Sequence, residues 1–90
     1  MGASSEQLEK LLNGILPKKF PNVKEVIVKK EDLDQHTYYI HVWVVMKDEN
    51  MFITPNEPNV NEFAQIQTTI RDLSRYVLLH VNQITFARQS

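Results

Sequence analysis

The segment TYYIHVWVVMK, residues 37–47, is the strongest strand signal in the chain, because most of its residues are β-branched or aromatic. This composition predicts a β-strand, in which successive side chains point to opposite faces of a sheet. The predicted core face carries Tyr38, Ile40, Val42, Val44 and Met46. The other face carries Thr37, Tyr39, His41, Trp43, Val45 and Lys47. The strand is therefore apolar on both faces, and each face needs something to cover it.

A second strand is predicted just before this one, over residues 22–30, where β-branched residues alternate with charged ones. The alternation places Lys24, Val26, Val28 and Lys30 on one face and Val23, Glu25, Ile27 and Lys29 on the other. The polar segment 31–36 joins the two strands. We therefore expect an antiparallel hairpin.

A helix is predicted before the hairpin, at about residues 4–15. Ser4 is placed to cap it, and Gln7 is placed to complete a capping box. The apolar positions recur at helical spacing: Leu8, Leu11, Leu12 and Ile15. We expect Gly14 to end this helix and Pro17 to prevent it from continuing.

A longer helix of about 20 residues is predicted after the hairpin and a loop over residues 48–58. Asn59 is expected to cap it, with Glu62 reaching back to complete a second capping box. Its apolar stripe consists of Val60, Phe63, Ile66, Ile70, Leu73 and Val77. This stripe predicts that one face of the helix packs on the core.

A last strand is predicted over residues 81–87, with Ile84 and Phe86 as its buried pair. The element order is then αββαβ, and each helix has one apolar face that must cover a sheet. We expect an α+β two-layer sandwich, with two helices on one face of a three-stranded, mostly antiparallel sheet. The whole chain is expected to form a single domain, with frayed ends at residues 1–3 and 88–90.

The composition is that of an ordinary globular domain, and it excludes several kinds of site. Ten Lys and Arg against eleven Asp and Glu give a net charge of −1, which provides no overall attraction to nucleic acid. The absence of Cys excludes disulfides, thiol nucleophiles and iron–sulfur clusters. Gly2 and Gly14 are the only glycines, so a Gly-rich phosphate loop is excluded as well. No signal peptide or membrane span is visible, and we expect a cytoplasmic protein without membrane insertion.

The second face of the strand over residues 37–47 has nothing in the predicted fold to cover it. The predicted interface consists of Ile27, Tyr39, His41, Trp43 and Val45. A patch with this many aromatic and β-branched residues usually marks an interface, so we expect a small non-enzymatic binding or assembly domain. A homo-oligomer such as a dimer is favoured over a complex with a partner protein. Two alternatives stay open: that the segment Met51-Phe52-Ile53 or the tail covers this face, and that the face stacks bases of single-stranded nucleic acid.

A group of lysines supports the nucleic-acid alternative. The possible nucleic-acid contacts are Lys18, Lys19, Lys24, Lys29 and Lys30. Lysines beside aromatic residues on a sheet can hold phosphates while the rings stack on bases. However, acidic residues follow at once, at Glu31, Asp32 and Asp34, and neither the first nor the third predicted strand carries a second aromatic motif. Lysines that keep a strand edge in solution explain the same residues, so nucleic acid is the less favoured partner.

No arrangement of a nucleophile and a base indicates catalysis, and we expect no cofactor. Asp32, Asp34 and His36 are spaced to hold a metal weakly, but carboxylates and a histidine in a polar turn are usually turn-forming residues. His41 has no second ligand placed beside it by the sequence, and packing against neighbouring aromatic residues explains it. We therefore assign no metal site and no catalytic residue.

The element order also resembles two groups of small domains. One is the type II KH-like domain of bacterial ribosome-binding factors, and this resemblance implies binding to RNA or to the ribosome. The other is the cytosolic C-terminal domain of cation diffusion facilitators, whose histidine-bearing strand is similar to Tyr39-Ile40-His41-Val42. That resemblance implies pairing of domains and regulatory zinc binding. Both rest on the order of elements across most of the chain, and likeness of fold alone does not transfer function.

Overall fold

The computed structural model describes residues 4–47 and 57–88, and its elements follow the expected order αββαβ. The helices are α1, Ser5–Lys19, and α2, Glu57–Tyr76. The strands are β1, Val23–Asp32, β2, Tyr38–Met46, and β3, Gln83–Arg88. The loop residues 48–56 and the terminal residues 1–3 and 89–90 lie outside the described residues.

The sheet has three strands in the order β1-β2-β3, with β2 at its centre. β1 pairs with β2 in the antiparallel direction, as expected for a hairpin, and β3 pairs with β2 in the parallel direction. A parallel neighbour needs a long crossover connection, and α2 lies within that connection. The structure therefore confirms the α+β two-layer fold. It also places β3 beside β2, a position that the sequence leaves open.

Both helices cover the same face of the sheet, which is the core face predicted for the central strand. The fully buried residues of the core include Leu8, Leu12 and Leu16 of α1, Ile66 and Ile70 of α2, and Ile40, Val42, Val44 and Met46 of β2. Because alternate residues of β2 share one core with both helices, the remaining residues of that strand point away from the helices.

The start of β1 differs from the predicted alternation at Val23. The register with β2 shifts between Val23 and Glu25, so that one extra residue, Lys24, is inserted into the strand. This bulge turns Val23 to the helix side, where it is fully buried, instead of leaving it on the face of Ile27. Strict alternation was therefore wrong at this position, because it assumes a strand without a bulge.

Helix α1 is longer than predicted at its C-terminal end. The capping box at its start is confirmed, since the Ser4 hydroxyl accepts from the Gln7 N–H and the Gln7 side chain accepts from the Ser4 N–H. Its end at residue 15 was wrong, because the helix continues through Gly14 and Pro17 to Lys19. The additional turn buries Leu16 completely, and this tertiary packing outweighs the local cost of the proline.

Helix α2 begins at Glu57, two residues before the predicted cap at Asn59. The carboxylate of Glu62 accepts a hydrogen bond from Asn22 Nδ2 at 3.4 Å, which ties the helix to the start of β1. The last strand begins at Gln83 instead of residue 81. The predicted limits of both elements were therefore displaced by two residues, a displacement that is common at element ends.

The end of α2 forms a Schellman motif. The Leu79 N–H donates to the Ser74 carbonyl at 2.9 Å, and the Leu78 N–H donates to the Arg75 carbonyl at 3.0 Å. Leu78 has a φ of 60°, a conformation that this motif usually assigns to glycine. Its side chain is nevertheless 76% exposed, so no burial within the described residues compensates the backbone strain.

Candidate interaction surface

The face of the sheet that lies away from both helices is the open face. It is formed by Glu25, Ile27, Lys29 and Glu31 of β1, by Tyr39, His41, Trp43 and Val45 of β2, and by Gln83, Thr85 and Ala87 of β3. All five residues of the predicted interface lie on it. Both described helices pack on the opposite face, so no described helix covers the open face. The segment Met51-Phe52-Ile53 lies outside the described residues.

The middle of the open face is apolar across all three strands. Ile27 is the register partner of Trp43 on one side, and Thr85 is its partner on the other. Val45 lies in the next row, beside Ala87 of β3. All of these side chains are half-buried. Ile27, Trp43, Val45 and Ala87 form what we call the apolar centre.

His41 fixes the position of the tryptophan within this centre. The two rings stack with centroids 4.1 Å apart and planes inclined by 16°. His41 Nε2 also forms a hydrogen bond with Thr85 Oγ1 at 2.6 Å, which links β2 to β3 across the face. The imidazole is therefore engaged on one side by a ring and at one nitrogen by a hydroxyl. In the part of the chain that the structure describes, no group of three His, Asp or Glu residues could hold a metal.

The end of the face around Tyr39 is polar. The Tyr39 hydroxyl donates to Gln83 Oε1 at 2.6 Å, and Glu31 is the register partner of Tyr39 on β1. Both Gln83 and Glu31 are exposed. Tyr39 is separated from Trp43 by His41 along β2, and its hydroxyl joins a polar margin. An apolar centre with a polar margin is common at protein interfaces.

Charged residues border the open face along β1, and their signs alternate. Glu25, Lys29 and Glu31 are all exposed and point to this face. Lys29 is the register partner of His41, and Glu25 is the partner of Val45. We call these three residues the charged rim. It carries both signs, with one glutamate on each side of its lysine.

The five lysines predicted as nucleic-acid contacts do not form one surface. Lys18 and Lys19 lie at the end of α1, and Lys24 lies in the bulge of β1. Lys29 points to the open face, whereas its neighbour Lys30 points to the helix side of the sheet. There Lys30 Nζ lies 3.6 Å from Asp32 and 5.2 Å from the centroid of the Tyr38 ring. Only one of the five lysines therefore borders the aromatic residues of the open face.

The polar turn between β1 and β2 is held together by hydrogen bonds of its own. The His36 N–H donates to Asp34 Oδ1 at 2.8 Å. This bond, together with one from the Thr37 side chain, holds the pKa of Asp34 below its usual value. Asp32 is the residue that faces Lys30. The acidic residues of this turn thus act as turn-forming and ion-pairing groups.

A groove of about 430 Å³ lies between the end of α1 and the middle of α2. Its lining consists of Lys19, Phe20, Ala64, Gln65, Thr68, Thr69 and Asp72. The hydroxyls of Thr68 and Thr69 donate to carbonyls of their own helix, so they are not directed toward a ligand. The groove therefore offers little recognition chemistry beyond Lys19 and Asp72.

Comparisons of the chain with protein-family models, with curated proteins and with solved structures find no match. Among the described helices, none is long and apolar enough to cross a membrane. The open face is therefore the feature of the molecule from which a function can be proposed.

Two residues of the open face are not among the interface residues predicted from the sequence. Thr85 and Gln83 bind the side chains of His41 and Tyr39, respectively. Both lie on β3, and the sequence does not indicate which strand β3 adjoins. A parallel β3 beside β2 is the arrangement that brings these side chains together.

Proposed function

We propose that this chain is a non-enzymatic assembly domain that self-associates through the open face of its sheet. The observation that carries the proposal is the apolar centre, in which Ile27, Trp43, Val45 and Ala87 meet on a face that no described helix covers. Apolar patches of this kind mark interaction sites on most small domains, and tryptophan is among the residues that contribute most to binding.

The arrangement of apolar, polar and charged residues on the open face supports a protein as the partner. A typical interface has an apolar core, a polar margin and aromatic residues at its centre. Here Trp43 stands at the centre, Tyr39 and Gln83 form a polar end, and the charged rim follows one side. The stacking of His41 on Trp43 orients the indole before binding, which reduces the side-chain entropy lost in a complex.

The charged rim supports a second copy as the partner. Two copies related by a two-fold axis present the same surface to each other, so the surface must be complementary to itself. A rim of one sign would repel its own copy. Glu25, Lys29 and Glu31 alternate in sign, so a lysine of one copy can approach a glutamate of the other. The low net charge of the chain, −1, adds little repulsion between copies.

The lysines give less support to nucleic acid. A surface that tracks a phosphate backbone needs several cations along one groove. Lys29 lies between Glu25 and Glu31 on the open face, and Lys30 points to the other side of the sheet. Binding to an oligonucleotide would fall steeply with salt, which distinguishes it from association through an apolar centre.

The experiment is sedimentation equilibrium on the intact chain and on Trp43→Ala over a wide range of concentration. We expect the wild type to associate and Trp43→Ala to raise the dissociation constant at least tenfold, since central tryptophans often contribute about 2 kcal/mol or more. Tyr76→Ala is the matched control, because Tyr76 is 84% exposed at the end of α2 and lies outside the open face.

Circular dichroism shows whether Trp43→Ala is folded, so that a change in association can be separated from unfolding. Trp43→Ala should keep the wild-type spectrum, because Trp43 is half-buried and lies outside the core formed with the helices. A wild-type chain that sediments as a single copy at every concentration would contradict self-association. A Trp43→Ala chain that is folded and associates as well as the wild type would contradict the role of this face.

A further inference from the structure

The two edges of the sheet differ in whether other parts of the chain cover them. The edge formed by β1 is covered by α1. Asn13 Oδ1 accepts from the Val26 N–H, and Asn13 Nδ2 donates to the Val26 carbonyl, both at 2.8 Å. Glu9 Oε1 accepts from the Val28 N–H at 3.1 Å. These side chains form hydrogen bonds with backbone groups on the outer side of β1, as a further strand would. The edge of β1 is therefore protected against pairing with another chain at these positions.

The opposite edge belongs to β3, and no further strand of the described chain pairs with it. The side chains on its helix side, Ile84 and Phe86, are only partly buried. On β2 the equivalent residues, Val42 and Val44, are fully buried. Phe86 rests against Phe63 with ring centroids 4.5 Å apart, which covers part of the ring. Apolar surface thus remains accessible beside an open backbone edge.

The sequence of this edge lacks the features that usually discourage pairing. Residues 83–87, QITFA, contain no charge, no proline and no glycine. Natural edge strands are commonly interrupted by lysine, proline or a bulge. Isoleucine, threonine and phenylalanine instead favour the extended conformation. An accessible, uncharged edge of this kind readily accepts another strand.

We propose that β3 pairs in the antiparallel direction with β3 of a second copy, about a two-fold axis at Thr85. In this register Thr85 of one copy faces Thr85 of the second copy. Ile84 then faces Phe86 of the second copy, and Gln83 faces Ala87 of the second copy. Cross-strand pairs of threonines and of aromatic with β-branched residues are favourable. No charged residue meets a like charge within the five paired positions.

The register also keeps each face of the two sheets on the same side. Paired residues of an antiparallel ladder point to the same face. Thr85 and Gln83 with Ala87 lie on the open face, and Ile84 with Phe86 lies on the helix side. The result is a continuous six-stranded sheet that buries the half-exposed Ile84 and Phe86. The pairing uses the backbone edge of β3, whereas the proposed self-association uses the side chains of the open face. A copy that makes both contacts has two neighbours, so the assembly then exceeds two copies.

The experiment uses the absence of cysteine from the chain, which makes every introduced cysteine the only one present. Facing residues of an antiparallel pair have Cα atoms about 5 Å apart, within the range that a disulfide spans. We expect Thr85→Cys to form a disulfide-linked dimer readily on mild oxidation. Gln83→Cys is the matched control on the same strand and face. In the proposed register its two copies are roughly 13 Å apart, so it should not cross-link.

A mixed experiment fixes the register. Gln83→Cys mixed with Ala87→Cys should give the disulfide between unlike chains, since these two positions face each other. Ready cross-linking of Gln83→Cys alone, or failure of folded Thr85→Cys to cross-link, would overturn the proposed pairing. Circular dichroism of each reduced variant shows that it is folded.

The same variants made together with Trp43→Ala separate this pairing from the open face. If both contacts exist, Thr85→Cys, Trp43→Ala still cross-links, and the reduced protein sediments as two copies. If the cross-link disappears with Trp43→Ala, the two Thr85 positions come together only through contact of the open faces. That result would overturn the edge pairing. A cross-link that persists while Trp43→Ala leaves association unchanged contradicts the proposed function and leaves the edge pairing intact.

Discussion

The rings of His41 and Trp43 stack on the open face of β2, with centroids 4.1 Å apart. The two residues are separated by one position in the strand, so the period of two places them side by side. His41 is held in turn by Thr85 of the neighbouring strand. The only tryptophan of the chain is thus oriented at the middle of the sheet face on which no described helix packs.

The sign alternation of the charged rim predicts a specific effect of Lys29→Glu. This change makes the rim acidic throughout, so two copies repel each other at the open face. We expect the dissociation constant to rise severalfold at low salt and the difference to shrink at high salt, because salt screens exposed charges. Sedimentation equilibrium at two salt concentrations measures both effects.

Lys30→Glu is the control for this prediction. It changes the net charge by the same amount at the next residue, but Lys30 lies on the helix side, near Asp32 and Tyr38. It should leave the salt dependence of association close to that of the wild type. Equal effects of the two changes would show that net charge, and not the rim, controls association.

Asn13 is predicted to stabilise the domain through the edge of β1. Asn13→Ala removes both hydrogen bonds to the backbone of Val26. We expect the free energy of unfolding to fall by about 1–2 kcal/mol, partly offset by the better helix propensity of alanine. Urea denaturation measures the change. Asn13→Asp keeps an acceptor for the Val26 N–H but places a carboxylate oxygen against the Val26 carbonyl, so it should destabilise the domain as well. Wild-type stability of either variant would contradict this assignment.

Leu78 is predicted to be a source of strain. Leu78→Gly relieves the left-handed conformation at φ 60° but gives the unfolded chain more freedom. Because left-handed leucine costs about 1–2 kcal/mol, we expect a net gain of roughly 0.5–1 kcal/mol in stability. Thermal or urea denaturation tests this. Tyr76→Gly, two residues earlier and still within the helix, should instead destabilise the domain. A loss of stability in Leu78→Gly would contradict the strain at Leu78.

Asp34 is predicted to contribute to the dependence of stability on pH. Its folded pKa is lowered by the bond from the His36 N–H and by the Thr37 side chain. A lowered folded pKa gives stability that is present above the unfolded pKa, about 4, and is lost as pH falls through the folded value. Asp34→Asn should therefore lose less stability than the wild type below about pH 4. Parallel curves of unfolding free energy against pH would contradict the prediction.

Much of the fold could be predicted because local patterns and tertiary packing agree. The alternation around Trp43 identifies a strand with two apolar faces, and the stripe containing Ile66 and Ile70 identifies a helix face. Four side chains of the open face, those of Tyr39, His41, Trp43 and Val45, follow from this alternation alone. The hairpin then brings Ile27 beside Trp43, since the strands on each side of a short turn pair with each other.

The remaining features depend on interactions between distant residues. The bulge at Lys24 and the burial of Val23 follow from the fit of β1 to β2. The continuation of α1 past Pro17 follows from the burial of Leu16. The contact of His41 with Thr85 requires the parallel placement of β3. Local propensities do not include these energies, so they could not predict the outcome.

The most direct test of the central claim is the fluorescence emission of Trp43, recorded together with sedimentation over a hundredfold or wider range of protein concentration. Trp43 is the only tryptophan, so the signal reports the middle of the open face alone. We predict that emission shifts to longer wavelength on dilution, in step with the fall in sedimenting mass, as the indole is uncovered. Emission that stays constant while the mass falls to that of a single copy, or the mass of a single copy at every concentration, would contradict self-association through this face.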